Sequence, residues 1–194
     1  GWGIPMPEKQ KTQLAVIGGG PGGYAAAFHA ATLGLEVTLI NAETAPGGVC
    51  LHRGCIPSKA LLHIAKLLNE TREAAEWGVQ FKPPSVDLAR LREWKNGVIG
   101  QLASGIEKLC EARGVRLLRA RAVFTASDTL QLVPASAGAA EGIPEFLEFE
   151  RAILAAGSLP FIPPALRVED PRVMDSSLAL DLPEIPGSLL VVGG

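Results

Sequence analysis

Hydrophobic and polar positions follow two rhythms along this chain. Leu14-Ala15-Val16-Ile17 is a short continuous apolar run ended by Gly18, which predicts a buried parallel strand. Tyr24–Leu33 is rich in alanine and predicts a helix ended by Gly34. Glu36–Ile40 predicts a second strand. Ser58–Trp77 reads as one helix stopped by Gly78. Pro83-Pro84-Ser85 breaks the pattern, and Ser85 or Asp87 then caps a long helix over Asp87–Arg113. Its apolar positions are Leu88, Leu91, Val98, Ile99, Leu102, Ile106 and Leu109. Gly97, Gly100 and Gly105 weaken it and suggest close packing. Strands follow at Val115–Thr125, Thr129–Val133 and Phe146–Ala155, with Pro134–Pro144 as a surface loop. Leu159–Pro186 is a proline-rich connection holding a short helix near Ser176–Leu180. Leu189-Leu190-Val191-Val192 reads as another buried strand entering a glycine turn.

The first strand leads into Gly18-Gly19-Gly20-Pro21-Gly22-Gly23, a G-x-G-x-x-G pattern at Gly18, Gly20 and Gly23. In a strand–turn–helix–strand context this pattern predicts dinucleotide binding. Gly18 makes the tight turn, Gly20 admits the pyrophosphate, and Gly23 lets helix and sheet approach. The pyrophosphate sits on the helix N-terminus. An acid is expected after the second strand, to hold the ribose hydroxyls; Asn41 stands there, with Glu43 close by.

The segment Gly47-Gly48-Val49-Cys50-Leu51-His52-Arg53-Gly54-Cys55-Ile56-Pro57-Ser58-Lys59 holds two of three cysteines. Cys55 falls near a helix start and Cys50 just before it, where partial positive charge favours a thiolate. Lys59 adds a charge one turn further on. The residues alone leave three readings open. One is a redox pair. Another is a structural disulfide closing a very short loop, with little entropic gain. The third is a metal site, for which no second pair has ligand spacing. Cys110 reads as core filler, His29 and His63 as surface or packing residues, and Trp77 and Trp94 as helix-packing residues.

The two motifs in this order resemble those of the pyridine nucleotide–disulfide oxidoreductases. Gly18–Gly23, Gly47–Lys59, Ala155-Ala156-Gly157-Ser158 and Asp170–Ser176 carry the likeness, which runs from about Leu14 to Gly194. The cysteine segment is similar to that of the branch that oxidises dihydrolipoamide; glutathione and mercuric reductases have related versions. The resemblance implies an α/β, Rossmann-like FAD-binding domain: a parallel sheet with flanking helices and a β-meander, cut at the start of a second nucleotide-binding domain. It implies a leader or tail over 1–11, an FAD domain over 12–188, and the first strand of an NAD-binding domain over 189–194.

Residue roles follow from the same resemblance. Cys50 is the interchange thiol that meets substrate, and Cys55 faces the flavin; together they form a redox disulfide. Lys59 stands near the flavin ring. Gly18, Gly20, Pro21, Gly22 and Gly23 cradle the FAD pyrophosphate, Asn41 stands at the adenosine ribose, and Ala42 is among the cofactor-binding residues. Gly47, Gly48, Val49 and Cys50 also face the cofactor. Ala122 takes a position where the family often has a glycine whose backbone meets the adenine. Ala156, Gly157 and Ser158 match the strand end that passes the cofactor. His52 and Arg53 replace what is commonly Asn-Val, which changes the charge between the cysteines. The implied partners are dihydrolipoamide on lipoyl domains of 2-oxoacid dehydrogenase complexes and NAD, with a homodimer in the complete enzyme. The family's later segments are absent from residues 1–194, so this chain alone is expected to be inactive. A non-catalytic FAD-binding remnant is the other expectation.

Charge changes the picture little. Eighteen basic and 20 acidic residues give a net −2, which argues against nucleic acid. No apolar run reaches membrane-spanning length. Sparse cysteines fit a reducing cytoplasm.

Overall fold

The computed structural model describes residues 9–136 and 142–193. It divides into two compact units, 1–52 with 100–158 and 53–99 with 159–194.

The first unit is built on five strands: β1 (Lys9–Ile17), β2 (Val37–Asn41), β3 (Arg116–Ala126), β4 (Thr129–Pro134) and β5 (Phe146–Leu154). β1 pairs in parallel with β2 and with β5, and β2 pairs in parallel with β3. β4 runs antiparallel to both β3 and β5. The long strands β3 and β5 each serve the parallel sheet and the meander, so the pairing closes into a ring. Alternate residues of β1 then face two different cores. Leu14 and Val16 pack with Val37, Leu39, Val115 and Cys110, and with Ala27 and Ala30 of α1 (Pro21–Thr32). Ala15 joins Ile40, Leu118, Ala120, Leu130, Leu132 and Leu147 on the other side. Burial on both faces is why β1 reads as an unbroken apolar run instead of an alternation.

β1 begins earlier than its apolar run. Lys9 and Lys11, expected in a leader, pair with Phe146 and Glu148 of β5. Both ammonium groups bridge the Glu148 carboxylate, and the hydrogen bond from Lys11 holds that group below its usual range. Residues 9–11 of the leader or tail expected over 1–11 thus belong to β1, and residues 1–8 lie outside the described residues, as does the 137–141 portion of the expected loop.

The helices are α1, α2 (Gly48–Arg53), α3 (Cys55–Glu73), α4 (Leu88–Ala112) and α5 (Ser176–Asp181). α3 starts three residues before the predicted Ser58 and ends in a 3-10 turn at Ala74–Trp77, with Gly78 left-handed after it. Asp87 caps α4 by accepting from the Arg90 N–H at 3.0 Å. Asp175 caps α5 by accepting from the Leu178 N–H at 2.9 Å. In the second unit Lys95 is buried and its Nζ donates to the Leu180 carbonyl at 2.7 Å, fastening α4 to the end of α5.

Three expectations fail. Leu189–Val192 forms no strand and is 64–87% exposed, because no described strand offers it a ladder partner. The glycines of α4 are not there for close packing: a Cβ on Gly97, Gly100 or Gly105 would meet nothing within 4 Å. Trp77 and Trp94, expected as helix-packing residues, are exposed. Cys110, by contrast, is core, as expected.

Candidate dinucleotide site and redox cysteines

The strand registers fix where the site lies. Ile17 pairs with Ile40 on one side and Leu154 on the other, so Gly18, Asn41 and Ala155 emerge side by side. This is the carboxyl edge of the parallel strands, where ligands of open α/β sheets bind. Gly18 has φ +114°, and a Cβ there would overlap the Ala155 carbonyl oxygen. A Cβ on Gly23 would overlap the Gly18 carbonyl oxygen. Both positions therefore admit only glycine without a shift of backbone.

Beyond the turn, Gly20 sits at the N-cap of α1 and Pro21 at its first position. No side chain caps this helix end, and no acid stands in its first turn. The N–H groups of Gly22 and Gly23 and the positive end of the helix dipole suit an anion. The crowded glycines and the uncapped end together leave close backbone and free donors for an anion such as a pyrophosphate.

The cysteine segment begins on this turn. The Gly47 N–H donates to the Gly19 carbonyl at 2.7 Å. A Cβ on Gly48 would come within 2.7 Å of the Gly20 Cα. Val49 and Cys50 then follow on α2; Val49 is exposed and Cys50 half-buried. Cys50 was expected just before a helix. It lies inside a short one, because Gly54 (φ −147°, ψ −110°) leaves helical geometry and separates α2 from α3. Cys55 is exposed and is the first residue of α3, whose end likewise lacks a side-chain cap. Ser58 Oγ donates to the Cys55 carbonyl at 3.1 Å. Lys59 is exposed on the next turn. Cys55 and Lys59 belong to the second unit, and the other predicted site residues to the first.

Asn41 is buried and its Nδ2 donates to the Glu43 carbonyl at 2.8 Å, while a Cβ on Gly19 would approach its Oδ1 to 2.6 Å. Ala42, next in the chain, is exposed. Ala122 lies three residues past Arg119, the partner of Asn41, so β3 carries it beyond the carboxyl end of β2. It also packs against the core of the ring. Ala156, Gly157 and Ser158 are exposed after β5, with Gly157 at φ +75°. Sequence reasoning missed the Ala155 carbonyl as the group that crowds Gly18, and it missed Arg119 and Glu107, described below. Backbone carbonyls leave no residue-type signal.

Cys110 is chemically different from the other two. Burial, and secondarily Glu107, push its thiol above the usual range. Among the described residues no cluster of His, Cys, Asp or Glu could hold a metal ion, and no helix is long and apolar enough to cross a membrane.

A ring of parallel and antiparallel strands, a glycine turn at the carboxyl edge of its parallel strands and a cysteine segment that begins on that turn define an α/β protein of dinucleotide-binding form. The chain belongs to the pyridine nucleotide-disulphide oxidoreductase family, whose model matches residues 12–194. It is similar to proteins named dihydrolipoyl dehydrogenase, which are oxidoreductases. The one from Halobacterium salinarum is 45% identical over 183 residues, covering 94% of this chain and 38% of that protein. Those from Haemophilus influenzae and Vibrio cholerae are 43% and 42% identical over 189 residues, covering 97% of this chain and 38% of each. The chain thus spans less than half the length of these relatives.

Proposed function

We propose that this chain supplies the FAD cradle and the thiol pair of a dihydrolipoamide-oxidising, NAD-reducing flavoenzyme. The observation that carries the reading is the seating of Gly47 and Gly48 on Gly19 and Gly20, which joins the cysteine segment to the nucleotide turn. The relatives' names favour dihydrolipoamide over glutathione or mercuric substrates. On this reading residues 12–188 belong to the FAD-binding domain, and 189–194 to the start of an NAD-binding domain. Homodimerisation, work with lipoyl domains of 2-oxoacid dehydrogenase complexes, and a cytoplasmic setting belong to the same proposal.

Each thiol has its own task. With Cys50 and Cys55 joined as a disulfide, one substrate thiolate attacks the Cys50 sulfur. The Cys50–Cys55 bond breaks and Cys55 leaves as a thiolate at the first position of α3. The second substrate thiolate attacks its own partner sulfur, closing the lipoamide disulfide and releasing Cys50. Both electrons of the substrate now reside in the Cys50–Cys55 dithiol. Bound FAD supplies the relay of that electron pair to NAD⁺. Gly18, Gly20, Pro21, Gly22 and Gly23 hold its pyrophosphate. Ala42, Val49, Ala122, Ala156, Gly157 and Ser158 would contribute to holding the cofactor, and Lys59 would serve its flavin end. Asn41 offers no charge to the ribose, and its amide is already engaged, so FAD binding by this chain is weak.

The thiol half is testable without FAD. After mild oxidation, dihydrolipoamide should restore both thiols in the wild-type chain and open no disulfide in Cys50→Ser. A chain that regains no thiols with dihydrolipoamide, yet does so with glutathione, overturns the substrate reading.

A further inference from the structure

Ala42–Gly47 links the end of β2 to α2 without regular structure, yet side chains from three elements claim its carbonyls. Asn41 Nδ2 donates to Glu43, Arg119 Nε donates to Thr44 at 2.8 Å, and His52 Nε2 donates to Pro46 at 3.1 Å. Arg119 differs from the other two because it is itself held from behind. Its second nitrogen donates to Glu107 Oε1 at 2.6 Å. On β3 it is the direct cross-strand partner of Asn41. The planar guanidinium fork serves both partners at once, which a lysine ammonium cannot do with the same geometry.

Where an acid at the end of β2 would grip the ribose, Asn41 turns its amide into its own loop. Adenosine recognition then depends on the shape of the loop backbone. We propose that Arg119, anchored by Glu107, is a positioning residue for the adenosine half of the dinucleotide site. It acts by holding residues 42–47 in the form that presents Asn41 and Ala42 on one side and Gly47 on the phosphate turn. This inference rests on the dinucleotide reading above.

The test titrates FAD into the full chain by fluorescence and competes it with ADP, which carries the adenosine half alone. Arg119→Ala should weaken FAD and ADP by the same factor, about tenfold for a lost hydrogen bond from a charged donor. Arg119→Lys should recover part of that loss. Glu107→Gln, which keeps an acceptor, should show the same pattern more weakly and covers a failure of Arg119→Ala to fold. Failure of the wild type to bind either ligand defeats the dinucleotide reading itself. Wild-type binding with unchanged affinities in the variants, or loss of FAD with ADP unaffected, overturns the role of Arg119.

Discussion

At the carboxyl edge of β1, β2 and β5, glycine is imposed by its neighbours; along α4 it is not. A Cβ on Gly18 or Gly23 would overlap a backbone carbonyl, whereas Gly97, Gly100 and Gly105 face open space. The two regions treat cysteine differently as well. Cys50 sits half-buried on a helix that starts from the crowded turn, while Cys110 is sealed among apolar residues of α4 and the sheet. The difference teaches that neither residue type marks a site by itself. A functional glycine is known by what presses on it, and a reactive cysteine by what leaves it accessible.

The sharpest way to break this comparison is Gly23→Ala. The overlap with the Gly18 carbonyl should cost about 3 kcal/mol, the upper range for overpacking, read as a lower urea midpoint, and should abolish FAD binding. An unchanged midpoint would contradict the crowding. Cys110 comes next. Its raised pKa keeps the folded thiol neutral where the unfolded thiol ionises. Its contribution is therefore full below the unfolded value of about 8.5 and is lost as pH rises through the folded one. The urea midpoint should fall on the alkaline side, and Cys110→Ala should flatten that fall while costing about 1 kcal/mol at neutral pH. Iodoacetamide should label Cys55 in the native protein and Cys110 only after unfolding. The smallest effect is expected of Gly100→Ala, a gain of about 1 kcal/mol from helix propensity alone. A loss there would mean that the open face is used.

Much of the first unit was legible because period and punctuation agreed. The run Leu14–Ile17, the turn at Gly18–Gly23 and the alanine-rich helix placed β1, α1 and β2 within a few residues. The helix around Cys50 was not legible, since nothing in the pattern announces that Gly54 splits one helix into two. Lys9–Lys11 looked like a leader because strand pairing at a sheet edge needs no apolar side chains. Leu189–Val192 misled in the opposite sense: apolar character makes a strand only where a neighbour can pair with it. Of the candidate site, the glycines and cysteines stood out by type and spacing. Arg119 and Glu107 did not, because Arg119 donates to a loop far away in sequence and Glu107 acts only by accepting from Arg119.

The proposed function divides the labour between the two sulfurs. Its most direct test is the absorbance of the chain loaded with saturating FAD and reduced with dithiol. A long-wavelength thiolate–flavin band should vanish in Cys55→Ser and persist or strengthen in Cys50→Ser. A band that survives the loss of Cys55 and disappears with Cys50 would contradict the account.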